Sequence, residues 1–232
     1  MGLWRVTMKR SVKLSKTYIV LGVVITVYGI ILSNIMSIIP SSSVTPASID
    51  LSSNFPVLSV ALLSLSAVLF SLPVIMLFVY DKNNGVLEYL LSTGLDQLDI
   101  FKGYVKASLA LAVYLLVFAI IFNTIVGIFL GTGLGLLASI VVLTVAIGVA
   151  EVFLVSVCMM AFSSLQKTPM GANQPLGVIV GVIPMFPALI LPILFPAYAL
   201  VVDLSIAAIT LIASIALLLS IGRLILREKL LP

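Results

Sequence analysis

Histidine is absent from the 232 residues. A His-based metal centre, a histidine general base and a histidine pH switch are therefore excluded. Cysteine occurs once, as Cys158 inside an apolar run, so no internal disulfide can form and thiol chemistry has little to work with. Charge is scarce: 9% of residues are Asp, Glu, Lys or Arg, against about 25% in a soluble domain. No G-x-x-x-x-G-K-[ST] sequence occurs, so the chain has no P-loop through which to bind ATP itself. What is present is apolar: 62% hydrophobic residues and a mean hydropathy of +1.35. That composition predicts an integral membrane protein, and the length suits one membrane domain.

Six runs approach or exceed the ~20 apolar residues that cross a bilayer. They lie at about 18–39, 57–80, 107–130, 136–162, 176–191 and 203–222. The expected fold is an all-α membrane protein: an N-terminal segment, 1–16, followed by a six-span domain over 17–232. In that segment Trp4, Met8 and Val12 recur every four residues beside Arg5, Lys9 and Lys13. The pattern predicts a short amphipathic helix lying in the membrane interface, its bases favouring anionic headgroups. Pro73 should kink the second span. Gly131-Thr132-Gly133-Leu134-Gly135 should turn the chain tightly between the third and fourth.

The net charge of +4 could point to nucleic acid, but its distribution points to topology instead. Arg5, Lys9, Arg10, Lys13 and Lys16 precede the first span, and Lys82, Lys102 and Lys106 follow the second. Lys167 follows the fourth, and Arg223, Arg227 and Lys229 follow the sixth. With six spans all twelve bases fall on one face, which the positive-inside rule makes cytoplasmic. The expectation is a multi-pass protein of the cell membrane with both termini cytoplasmic. No repeat relates the two halves, so inverted-repeat transporter logic gains no support.

The polar interval at 81–106 interrupts this pattern. Asn83-Asn84-Gly85 reads as a turn. Val86, Leu87, Leu90 and Leu91 then recur at helical spacing, with Glu88 and Tyr89 between them. A helix of one or two turns cannot stand alone in water. It either lies back on its own bundle or on lipid, or offers Leu87, Leu90 and Leu91 to a groove on a soluble partner. Ser92-Thr93-Gly94 breaks it. Thr93 or Asp96 can cap a second helical piece that carries Leu98, Ile100 and Phe101 towards the third span.

The run Asp81-Lys82-Asn83-Asn84-Gly85-Val86-Leu87-Glu88-Tyr89-Leu90-Leu91-Ser92-Thr93, with Lys102 nine residues on, resembles the loop between spans two and three of type-2 ABC exporter permeases. The likeness extends over the chain: an interfacial N-terminal helix, six spans, and a fifth span broken near its outer end. Two features depart from the family pattern. Asp81 stands where Glu is more usual, and Gly94-Leu95 stands where a Pro is usual. The resemblance implies a transport subunit without its own ATPase site. It also implies a coupling segment, 81–104, that docks on a separate ABC ATPase present in two copies. Asp81, Lys82, Gly85, Leu87, Glu88, Leu90, Leu91, Thr93 and Lys102 are the implied coupling residues. The leucines would anchor while Asp81, Lys82 and Glu88 fix register. No cofactor would be bound by this chain; ATP and Mg would sit on the partner. A second permease, the same chain or a homologue, would complete the exit path within the lipid bilayer. No nucleic-acid partner is implied. The alternative from another class is a membrane anchor or scaffold that holds a cytoplasmic enzyme without transporting anything.

Within the membrane, Glu151 falls near the middle of the fourth span, where an acid costs about 2.5–3.5 kcal/mol on insertion scales. It must face protein or water, either as a substrate or proton site or as an interhelical hydrogen-bonding group. Gly177 and Gly181 form a G-x-x-x-G in the fifth span, permitting close helix approach, and Pro184 follows. Together with Pro73 and Glu151 they are the expected pathway and dimer-packing residues. The apolar path leans towards amphipathic or lipid-like cargo, with peptides and drug-like molecules also in range.

Overall fold

A computed structural model of the chain describes residues 2–38, 55–164 and 199–224. The expected fifth span, with Gly177, Gly181 and Pro184, lies outside the described residues, as do Lys167, Arg227 and Lys229 and most of the 40–56 loop.

Seven helices and no strand occur among the described residues. They are α1 Leu3–Leu14, α2 Lys16–Ile38, α3 Phe55–Asn83, α4 Val86–Ser92, α5 Gln97–Phe129, α6 Leu134–Ser164 and α7 Ala199–Leu224. Four of them, α2, α3, α5 and α6, are long and apolar enough to cross a membrane, and α7 contains a shorter apolar stretch, Leu204–Ala213. All-helical architecture and membrane character therefore hold.

Burial sorts these helices into inner and outer. The most apolar stretches of α3 and α6 are 67% buried, those of α2 and α5 only 28%. The outer helices accordingly carry exposed rows such as Tyr18, Leu21, Ile25 and Tyr28 on α2 and Tyr114, Phe118 and Ile121 on α5. In lipid, apolar exposure drives no association, and helices are held by close packing of small residues. Such packing is seen where α6 meets its neighbours. A Cβ on Gly148 would stand 3.4 Å from Leu116 Cδ2, 3.5 Å from Ala67 Cβ and 3.7 Å from Ser64 Cα. Polar side chains bridge the same interior. Ser108 Oγ lies 2.7 Å from Ser156 Oγ, and Asn34 Nδ2 donates to Asn123 Oδ1 at 3.2 Å.

Pro73 sits buried inside α3, which runs from Phe55 to Asn83. One element differs from the sequence expectation. The segment 97–106 is not a separate piece but the first turns of α5, which has 33 residues. At 1.5 Å per residue α5 is about 50 Å long, against a hydrocarbon core of about 30 Å, so a few turns of it must stand outside the core. Asp96 occupies the N-cap position of α5 but makes no side-chain capping bond. The tight turn at 131 is present. Gly131 has φ 78°, and Thr132 N–H returns to the Gly127 carbonyl at 2.9 Å to close the end of α5.

Candidate functional site at one end of the bundle

The end of α3, the short α4, the start of α5 and the whole of α1 meet at one end of the molecule. Asp81 is the centre of this end. It lies on the last turn of α3 and is fully buried. Arg10 of α1 grips it bidentately, with Nη1 donating to Oδ2 at 3.0 Å and Nη2 to Oδ1 at 2.9 Å. Tyr104 of α5 donates its hydroxyl to Oδ2 at 2.5 Å. Three helices far apart in sequence are thus tied through one carboxylate. A buried carboxylate is tolerable only with such charge-assisted partners. The apolar side of the knot is aromatic: Phe78 meets Tyr104 edge-on at 5.1 Å and Phe101 at 6.2 Å between centroids.

This corrects the reading of Asp81 as a surface charge that sets a partner's register. Its oxygens are spent inside the chain. Arg10 and Tyr104 were missed, because they lie 71 and 23 residues away in sequence. One signal for Arg10 was available: it is the one base of α1 that stands off the Arg5–Lys9–Lys13 row.

The docking of α1 also differs from expectation. Its inward face is not the Trp4–Met8–Val12 stripe alone but Leu3, Thr7, Arg10 and Ser11, with Trp4 and Met8 packed partly on the core and Val12 exposed. Thr7 and Ser11 are buried and small, and Gly103 of α5 lets Leu3 approach: a Cβ there would meet Leu3 Cδ2 at 2.8 Å. So α1 packs on protein through its small-residue face.

α4 is bracketed by two left-handed glycines, Gly85 at φ 72° and Gly94 at φ 86°. That conformation costs a residue with a Cβ roughly 1–2 kcal/mol. Gly94 is the C′ residue of α4, its N–H bonded to the Leu91 carbonyl at 3.0 Å. The position where the resembled family has Pro is therefore a defined helix stop. Leu87 is buried, and Leu90 and Leu91 are partly buried against the core. The three leucines read as anchors for a partner thus point into their own bundle. Outward on the helix are Tyr89, which is 68% exposed, and Ser92; the turn that follows, with Thr93, Leu95 and Asp96, is exposed as well. Ser92 and Thr93 turn their hydroxyls back to the carbonyls of Tyr89 and Leu90. Glu88 lies in the first turn, where a helix start favours an acid. Lys82 and Lys102 are half-buried.

Deeper in the bundle, Glu151 of α6 is buried at 1% exposure, so it faces protein rather than lipid. No cluster of three or more metal-ligating side chains occurs among the described residues.

Comparison of the chain with family models, curated proteins and solved structures finds no match.

Proposed function

We propose that this chain is the membrane permease subunit of an ATP-driven exporter, powered by a separate ATPase that docks on α4. The observation that carries this reading is the construction of α4. It is a two-turn helix at a bundle end, fixed in place by Leu87 and by two glycine stops, yet with Tyr89 and the turn that follows it, 93–96, left uncovered. A helix this short gains nothing by exposure and is stable only because it is held; its open face is free to meet the groove of a soluble partner. The resemblance of residues 81–93 to the loop of type-2 ABC exporter permeases supports the same assignment. In this reading the end bearing α1 and α4 is cytoplasmic, the spans number six, and two permeases pair around the exit path.

In this reading the contact residues differ from the expected leucines. Tyr89, Thr93, Leu95 and Asp96 face the partner, while Leu87, Leu90 and Leu91 seat α4 on the permease and Asp81 anchors the end of α3. The test is affinity purification of the tagged chain from its native membranes. A nucleotide-hydrolysing subunit is expected to accompany the unaltered chain. It should be lost from Tyr89→Asp/Leu95→Asp at unchanged permease yield. Recovery of the same ATPase with that double variant, or of none with the unaltered chain, overturns the proposal.

A further inference from the structure

We propose that the outward face of α1 is a binding surface for anionic lipid headgroups, built on the protein rather than floating in the interface. Arg5, Lys9 and Lys13 stand at i, i+4 and i+8, a single row with about 6 Å between steps. All three are exposed, and Lys16 continues the charge at the start of α2. The row lies opposite the Leu3–Thr7–Ser11 face by which α1 packs on the bundle. Val6 and Val12 flank it on either side and are 43% and 38% exposed. α1 contains no acid. The acid that α1 does meet, Asp81, is buried on its inward side and held by Arg10 and Tyr104. Among the described residues none of Arg5, Lys9, Lys13 and Lys16 pairs with a carboxylate.

The arrangement fits a lipid surface better than water or a protein groove. Cations at the centre of a helix face with aliphatic groups at its edges meet phosphates and the upper acyl chains together. α1 leads through Ser15 directly into α2, a helix of lipid-spanning length whose outer row of Tyr18, Leu21, Ile25 and Tyr28 is exposed. The bundle fixes the orientation of the row, so the cations need no ordering on binding. The headgroup attraction corresponds to about five-fold enrichment per cation near the surface.

Trp4 is the single tryptophan of the chain and sits on α1 itself. The full chain, reconstituted in phosphatidylcholine vesicles, is examined with equal mole fractions of brominated phosphatidylcholine or brominated phosphatidylglycerol. Trp4 quenching is expected to be stronger with the anionic lipid. The excess should fall in Lys9→Gln/Lys13→Gln, which leaves Arg5 beside the indole and Arg10 on Asp81. It should also collapse for the unaltered chain at 1 M salt, where the Debye length is about 3 Å. Equal quenching by the two lipids overturns the proposal and leaves the row to water or an acidic protein. An excess that the double variant retains assigns the lipid to another surface and overturns it as well. If the variant does not fold, an excess that survives 1 M salt in the unaltered chain overturns it. Neither readout involves an ATPase, so this inference stands or falls separately from the exporter reading.

Discussion

Arg10 and Asp81 form an unequal pair: the guanidinium side chain is 41% exposed, the carboxylate not at all. Removing the cation therefore strands a buried anion with only the Tyr104 hydroxyl. Arg10→Ala should cost about 3 kcal/mol, the low end for a broken buried pair because water can reach the vacated edge. Tyr104→Phe removes one hydrogen bond to a charged acceptor and should cost about 2 kcal/mol. Replacing both charges, Arg10→Met with Asp81→Leu, should be milder than Arg10→Ala alone, since no charge is then left behind. Urea or thermal unfolding of the detergent-solubilised chain ranks the three. An Arg10→Ala variant as stable as the unaltered chain would show that Asp81 is not held as described. The same residues mark a limit of sequence reading. Burial of an acid at a polar interval carries no local signature, because it depends on partners brought up by other helices.

At the scale of elements, the spans were legible and their faces were not. Hydropathy located α2, α3 and α6 to within a few residues, because bilayer thickness sets their length; it found the end of α5 but not its start, which lies ten residues before the expected 107, at Gln97. The 3.6-residue period of Leu87, Leu90 and Leu91 located α4, but a period names an apolar face without naming what covers it. α1 shows the converse: its most buried residues are Thr7 and Ser11, small polar side chains that a hydrophobic stripe passes over. The glycines carry a sharper prediction. Gly85→Ala and Gly94→Ala put a Cβ at positive φ, and each should destabilise by about 1–2 kcal/mol. Gly94→Asn should cost less, since Asn tolerates the left-handed region. Gly135, inside α6 with open space around its Cβ position, is the control. Gly135→Ala should be neutral or stabilising by up to about 1 kcal/mol. Unfolding midpoints that place Gly94→Ala level with Gly135→Ala would remove the claim that α4 is stopped by Gly94.

For the whole molecule the decisive question is which end faces the cytoplasm. α5 separates the α1–α4 end from the turn after Leu130 by about 50 Å, more than the hydrocarbon core requires. Thr93 at one end and Gly133 at the other therefore lie on opposite sides of any bilayer that α5 crosses. The bases Arg5, Lys9, Arg10, Lys13, Lys82, Lys102 and Lys106 all fall towards the Thr93 end. None lies between Ala107 and Leu134. On the exporter reading, the positive-inside bias points the Thr93 end to the cytoplasm. In a Cys158→Ser background, which removes the one native thiol, Gly133→Cys should react with a membrane-impermeant maleimide on intact cells. Thr93→Cys should react only after permeabilisation. Both sites are exposed and open, so neither substitution disturbs packing. Labelling in the reverse order would turn the molecule over. It would put α4 where no cytoplasmic ATPase can reach it and exclude the exporter reading, while leaving the Arg10–Asp81–Tyr104 knot intact.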